Sequence, residues 1–293
     1  MIEGVYTALI TPFNEKGEID EAGFIQNLEH QAEAGVSGVI VLGTTGESPT
    51  LSSEERKRLI EIAVSTLKGK VKVWVGTGSA STPDAIQKTK DAKALGADGA
   101  LVVTPFYNKP TQEGLFAHFK AIAETAKFPL MLYNIQGRTG VNLKTETLKR
   151  LLAFEEIVAV KESSGNIAQV MEVIHETPPN FSTLSGDDAL TLPILALGGR
   201  GVVSVLSNLL PRDVVEMTHA ALNKDFQRAK TLHYRLLPLM NIAFIESNPV
   251  PIKAMMELMG QKAGSVRLPL VPMTQDNQKK VETCLKETLQ LQP

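Results

Sequence analysis

Short β-rich runs, most of them nearly continuous in apolar residues, alternate along this chain with longer stretches of helical periodicity. The runs cover residues 4–13, 37–45, 71–78, 99–106, 129–135, 157–163, 181–187 and 201–208. Between them, segments such as 21–34, 53–67, 83–95 and 112–126 place apolar side chains three and four positions apart, the spacing of one helix face. A strand that is apolar at almost every position is buried on both faces. Such strands alternating with amphipathic helices make a parallel sheet covered by helices. About eight such units in one chain predict an α/β fold of the (β/α)8 TIM-barrel type. An open doubly wound sheet would carry a glycine-rich loop after its first strand. Here the first run passes into Thr11-Pro12-Phe13-Asn14.

After Pro211 the pattern reads as helical to the end, over 214–222, 226–245, 251–259 and 277–289. The first of these completes the barrel. The others form an additional segment with no Ser/Gly-rich linker before it, hence an appendage and not a separate domain. The expected organisation is a catalytic barrel over 1–223 with C-terminal helices over 224–293 packed upon it.

With 43% hydrophobic and 21% charged residues in 293, the chain has the composition of a soluble globular protein. A net charge of −2 without a basic block argues against a nucleic-acid partner. The apolar stretches are too short and too interrupted for a membrane span. A single cysteine, Cys284, leaves no intrachain disulfide framework and fits a reducing cytoplasm. No signal peptide is expected, because the N-terminus lacks a basic region followed by an apolar one.

In a barrel of this type the active site lies at the C-terminal ends of the strands. The unusual residues gather there. The second run ends in Gly43-Thr44-Thr45-Gly46-Glu47-Ser48 and the fourth in Thr104-Pro105-Phe106-Tyr107-Asn108. The fifth ends in Tyr133-Asn134, followed by Gly137-Arg138-Thr139-Gly140, and the seventh in Ser185-Gly186-Asp187-Asp188. Two of the chain's four tyrosines sit at these ends. Taken singly, the glycines read as tight turns, the threonines as caps and the tyrosines as packing. Their placement on one face is what gives them meaning.

Lys161 closes the sixth run, Ile157-Val158-Ala159-Val160-Lys161. Alone, it reads as a lysine reaching water or a carboxylate from a strand end. Burial would instead lower its pKa and yield a neutral amine, the form that attacks a carbonyl carbon. Making and collapsing the resulting carbinolamine moves protons, and Tyr133, Thr44 and Tyr107 supply hydroxyls for that work. Arg138 offers a planar fork for a carboxylate, and Thr45 with nearby backbone N–H groups can hold a second one. Amine, hydroxyl relay and carboxylate clamp describe a class I aldolase acting on a 2-oxo acid. All five histidines fall in helical stretches, away from a barrel's mouth, which disfavours a zinc-dependent aldolase or a Ser-His triad. No metal ligand set or Walker loop is apparent, so no metal or other cofactor is expected. Gly198-Gly199-Arg200-Gly201 precedes the last run and reads as a tight turn on the opposite face.

These motifs resemble the dihydrodipicolinate synthase family, also called the 4-hydroxy-tetrahydrodipicolinate synthase family. It lies within the N-acetylneuraminate lyase superfamily of pyruvate-dependent class I aldolases. The resemblance runs essentially the whole chain, through Gly43-Thr44-Thr45-Gly46-Glu47, Tyr133-Asn134 with Gly137-Arg138-Thr139-Gly140, Val160-Lys161-Glu162, Ser185-Gly186-Asp187-Asp188 and Gly201-Val202-Val203-Ser204-Val205. It implies that Lys161 forms an imine with pyruvate, and that Tyr133, Thr44 and Tyr107 relay protons, Tyr107 from a neighbouring subunit. Arg138 would bind the carboxylate of aspartate 4-semialdehyde and Thr45 that of pyruvate, with Gly186 and Val203 also at the substrate. It further implies a lyase of lysine and diaminopimelate biosynthesis, assembled as a cytoplasmic homotetramer. Rival readings are an aldolase for a sugar-derived 2-oxo acid and a barrel without catalysis that serves in binding or regulation. Arg138 beside the threonine pair argues against the first, and the complete amine and hydroxyl set against the second.

Two departures stand out. The family usually has proline where this chain has Gln136, which would loosen the backbone holding Arg138. In regulated members lysine binds at the tight-dimer interface, through groups matched here by Ser53, Arg56, Ala80, Asp84 and Phe106. Several of those hydrogen bonds are lost with these side chains, so lysine is expected to inhibit weakly or not at all.

Overall fold

A computed structural model describes residues 1–290; residues 291–293, the end of the expected 224–293 segment, lie outside the described residues. Eight parallel strands close on themselves in sequence order: β1 (Gly4–Ala8), β2 (Gly38–Val41), β3 (Lys72–Gly76), β4 (Gly99–Val103), β5 (Leu130–Asn134), β6 (Ile157–Glu162), β7 (Ser182–Ser185) and β8 (Gly201–Ser204). This is a TIM barrel. The seam joins β1 to β8 in register from Gly4↔Gly201 to Thr7↔Ser204. Any Cβ at position 201 would stand 2.0 Å from the Gly4 carbonyl oxygen, so glycine is required where the barrel closes.

Several helices start where the sequence supplies a side-chain cap. Ser52 accepts from the Glu55 N–H while Glu55 reaches back to the Ser52 N–H, a capping box that opens the helix Ser53–Leu67. Asp20, Thr111 and Asn166 cap the helices Glu21–Glu33, Gln112–Ala126 and Ile167–Glu176 by accepting from the N–H three residues on, without the return bond. One continuous core runs from the strands into the C-terminal helices. It joins Val39, Ala100, Leu132 and Val202 to Leu236, Met255 and Val281, all buried. Residues after Leu222 therefore share the barrel's core.

The C-terminal segment is not helical throughout. Its helices are Phe226–Ile242, Val250–Leu258 and Gln275–Leu289, and residues 260–274 run as an irregular connection. Gly260 and Gly264 adopt positive φ there, and Pro269 and Pro272 keep the chain from resuming a helix. Each strand is also shorter than its apolar run. The remainder of each run leaves the sheet and forms the loops at the barrel mouth.

Candidate active site

Lys161 stands on β6 directly across from Tyr133 on β5, its register partner. Its Nζ lies 4.1 Å from the centre of the Tyr133 ring. The residue is 5% exposed, and burial pulls its pKa down to about 7, helped by the charge of Arg138 and opposed by the Asp188 carboxylate. At neutral pH a large share of this lysine is therefore a neutral amine. Burial pushes the Tyr133 phenol up to about 12, so it remains protonated and available as a donor.

The fit around Lys161 is close. At Gly186 an added Cβ would come within 1.9 Å of Ser163 Oγ and 2.8 Å of Lys161 Cε. Only glycine leaves the lysine room to extend. Asp188 is fully buried and its Oδ2 accepts from the Val205 and Leu206 N–H groups, at 2.9 and 3.0 Å. Its other oxygen has no partner, and burial raises its pKa. On the outer side of β5 and β6, Asn134 donates to the Glu162 carboxylate and to Asn142, which continues to Gln169. This buried polar chain fixes the strand pair that carries Tyr133 and Lys161.

Thr44, Tyr133 and Arg138 line one cavity of about 290 Å³ at the barrel mouth, together with Ser48, Leu101, Val103 and Thr139. The loop that brings Thr44 there, with Thr45 buried beside it, is tightly turned. Leu42 and Glu47 both take left-handed backbone conformations, at φ 58° and 53°. A Cβ on Gly76 would collide with the Leu42 carbonyl oxygen at 2.1 Å, so only glycine fits there.

Arg138 is exposed at the rim, on the short helix Gln136–Thr139. Gln136 occupies that helix's first position, where proline is readily accommodated and where its absence removes no hydrogen bond. Thr45 is 3% exposed and accepts a hydrogen bond from Asn248 Nδ2 at 3.0 Å.

Tyr107, Gly186 and Val203 do not line this cavity. Tyr107 is 93% exposed, with φ 69°, and does not enter this chain's own cavity; its neighbour Phe106 is also exposed. Gly186 backs Lys161. Val203 is fully buried in β8 and does not line the cavity. All five histidines lie in helices, and no described group of three or more His, Cys, Asp or Glu is placed to hold a metal ion. No described helix is long and apolar enough to cross a membrane.

Sequence reasoning missed what the C-terminal segment contributes. Besides Asn248, Lys253 is 2% exposed and its Nζ lies 2.6 Å from Glu47 Oε1, while the Arg267 N–H donates to Glu47 Oε2 at 2.9 Å. Lys253 Nζ also donates to the Ser265 carbonyl at 2.7 Å and lies 4.5 Å from the centre of the Phe13 ring. The glutamate of the Gly43–Glu47 motif is thus an anchor for the C-terminal segment. A lysine inside the apolar stretch Val250-Pro251-Ile252-Lys253-Ala254-Met255-Met256 was the available signal.

The whole chain has close counterparts. A protein of Protochlamydia amoebophila named 4-hydroxy-tetrahydrodipicolinate synthase is 53% identical over 289 residues, covering 98% of this chain and 96% of the relative. The solved structure of the synthase of that name from Methylacidiphilum fumariolicum superposes with a TM-score of 0.97 at 45% identity, covering 99% of this chain and 97% of that one. The Cyanidioschyzon merolae enzyme, solved with lysine bound, matches with a TM-score of 0.96 at 42% identity over 99% of both chains. The family model described as the dihydrodipicolinate synthetase family matches residues 1–288. The chain belongs to that family.

Proposed function

We propose that this protein is a 4-hydroxy-tetrahydrodipicolinate synthase, a lyase that condenses pyruvate with L-aspartate 4-semialdehyde in lysine and diaminopimelate biosynthesis. The observation that carries the reading is the buried Lys161 amine, at a pKa of about 7, held across from Tyr133 and near Arg138. The family membership agrees with it.

The neutral amine adds to C2 of pyruvate, and the carbinolamine loses water to give an imine. The protonated imine makes the C3 protons acidic, and loss of one gives an enamine. Its C3 then bonds to the aldehyde carbon of the second substrate, whose oxygen takes up a proton. Finally the substrate's own amino group attacks the imine carbon, the ring closes, and Lys161 is released as an amine. Water is the only small molecule lost, and no redox partner or cofactor is called for. Tyr133 and Thr44 are suited to carry the protons, and Tyr107 joins them from a second copy of the chain, since its exposed position leaves its own site without it. Thr45 holds the carboxylate of pyruvate and Arg138 that of the aldehyde, with Gly186 and Val203 behind the bound pyruvate. The barrel over 1–223 is the catalytic unit and 224–293 its appendage. The working form is a cytoplasmic homotetramer, with no nucleic-acid or membrane partner.

Product analysis tests this. Pyruvate with aspartate semialdehyde is expected to give the cyclic condensation product, beside a panel of sugar aldehydes that give little. Equal or better turnover of a sugar aldehyde would overturn the assignment.

A further inference from the structure

Asn248 lies at the junction between the helix Phe226–Ile242 and the helix Val250–Leu258, outside every motif that marks the site in the sequence. It nevertheless meets both proposed carboxylate-holding residues. Its Nδ2 donates to Thr45 Oγ1 at 3.0 Å, and its backbone oxygen accepts from Arg138 Nη2 at 3.5 Å. Asn248 is 6% exposed, and its Oδ1 is buried with no partner. An unpaired amide oxygen in a buried position costs stability, so a side chain that keeps one is held there by something other than stability.

A threonine hydroxyl has one proton to give and two lone pairs to accept with. Thr45 accepts from Asn248, which occupies a lone pair and leaves the proton free. We propose that Asn248 is a positioning residue for pyruvate: its amide turns the Thr45 hydroxyl into a donor aimed at the substrate carboxylate. This inference rests on the reading of Thr45 given above. The position of Asn248 is secured from the other side as well. Lys253, five residues further on, is paired with Glu47, only two residues beyond Thr45. The C-terminal segment and the Thr44–Thr45 loop are therefore joined at two points, and the segment acts on the site through Asn248.

The test uses borohydride trapping of pyruvate on the full-length protein, with no aldehyde present, as a function of pyruvate concentration. Asn248→Asp keeps the shape but can only accept at neutral pH, so it reverses the bond, takes the Thr45 proton and adds a negative charge. Its half-saturating pyruvate concentration is expected to rise at least about tenfold, and that of Asn248→Ala by about threefold to tenfold. Maximal trapping at saturating pyruvate is expected to stay near wild type. In steady state the KM for pyruvate is expected to rise more than the KM for the aldehyde, because the backbone oxygen that meets Arg138 survives both substitutions. In a Thr45→Val background, replacing Asn248 by Ala is expected to add less than about twofold, since the hydroxyl it acts on is gone. Half-saturation within twofold of wild type for Asn248→Asp would overturn the proposal. So would equal rises in both KM values, or an undiminished effect in the Thr45→Val background. Should Asn248→Asp not fold, Asn248→Ala and the double variant decide alone. If the wild-type protein traps no pyruvate at all, the proposed function fails and this inference with it. If wild type traps and the variants match it, the inference alone fails.

Discussion

Replacing Lys161 by methionine is predicted to stabilise the ligand-free protein, by an amount that depends on pH. The lysine ordinarily titrates near 10.5, and burial in the barrel brings it to about 7. Between those two values the unfolded chain binds a proton at this position that the folded chain does not. Folding stability therefore rises with pH through the window from 7 to 10.5 on account of this residue. Below pH 7 both states are protonated and the cost is present in full, on the order of 5 kcal/mol. Methionine has similar length, packs in the same space and carries no charge. Its advantage over wild type is expected to be constant below pH 7 and to shrink by about 1.4 kcal/mol per pH unit above it. Between pH 7 and pH 9 that is a loss of about 2 kcal/mol, because the group is already half titrated at pH 7. Titrating groups that do not interact with Lys161 are common to both proteins and cancel in the difference. Urea denaturation at fixed protein concentration, at pH 6, 7, 8 and 9, measures it. A difference between the two proteins that stays level from pH 6 to pH 9 would refute the reasoning, because it would mean that Lys161 is charged throughout that range.

Arg138→Ala is expected to lower kcat/KM for the aldehyde substrate by about two to three orders of magnitude while pyruvate trapping persists, because one charge-assisted pair is removed; steady-state kinetics beside trapping checks both halves. Lys253→Met leaves Glu47 buried without its cation and is expected to cost about 3–5 kcal/mol, with much of the loss recovered in the Glu47→Gln, Lys253→Met double variant, read by urea denaturation. Lysine is expected to inhibit weakly or not at all. The Arg56 guanidinium is already engaged by Ser48 Oγ and by the Gly76 carbonyl oxygen at 2.9 Å, Asp84 is paired with Lys88 at 2.6 Å, and Phe106 has no hydroxyl. Half-inhibition at sub-millimolar lysine would contradict that.

The barrel was legible because most of its strands are buried on both faces and leave nearly continuous apolar runs, with β7 (Ser182–Ser185) the polar exception, while the intervening helices carry their own stripe and several carry their own caps. Lys161, Tyr133, Thr44, Thr45 and Arg138 were legible for a related reason. Each stands at or just past the end of such a run, and a barrel collects those ends on one face. Asn248 and Lys253 were not. Their partners, Thr45 and Glu47, lie 203 and 206 residues away, and periodicity reports whether a residue is buried but not what it meets. Asp188 was placed at the mouth, but its role escaped for the same reason: its partners are the N–H groups of a turn after β8. That Tyr107 lies outside its own chain's cavity was expected only from the family resemblance; the left-handed backbone it adopts is announced by nothing in Phe106-Tyr107-Asn108. Conversely, the break at 260–274 was written in Gly260, Gly264, Pro269 and Pro272, and apolar spacing alone concealed it.

The most direct test of the central claim is the mass of the peptide containing Lys161 after treatment with pyruvate and borohydride. A stable adduct on that peptide, absent without pyruvate and absent from a Lys161→Arg protein, is the predicted result. An adduct on another lysine, or equal labelling of the Lys161→Arg protein, would contradict the account.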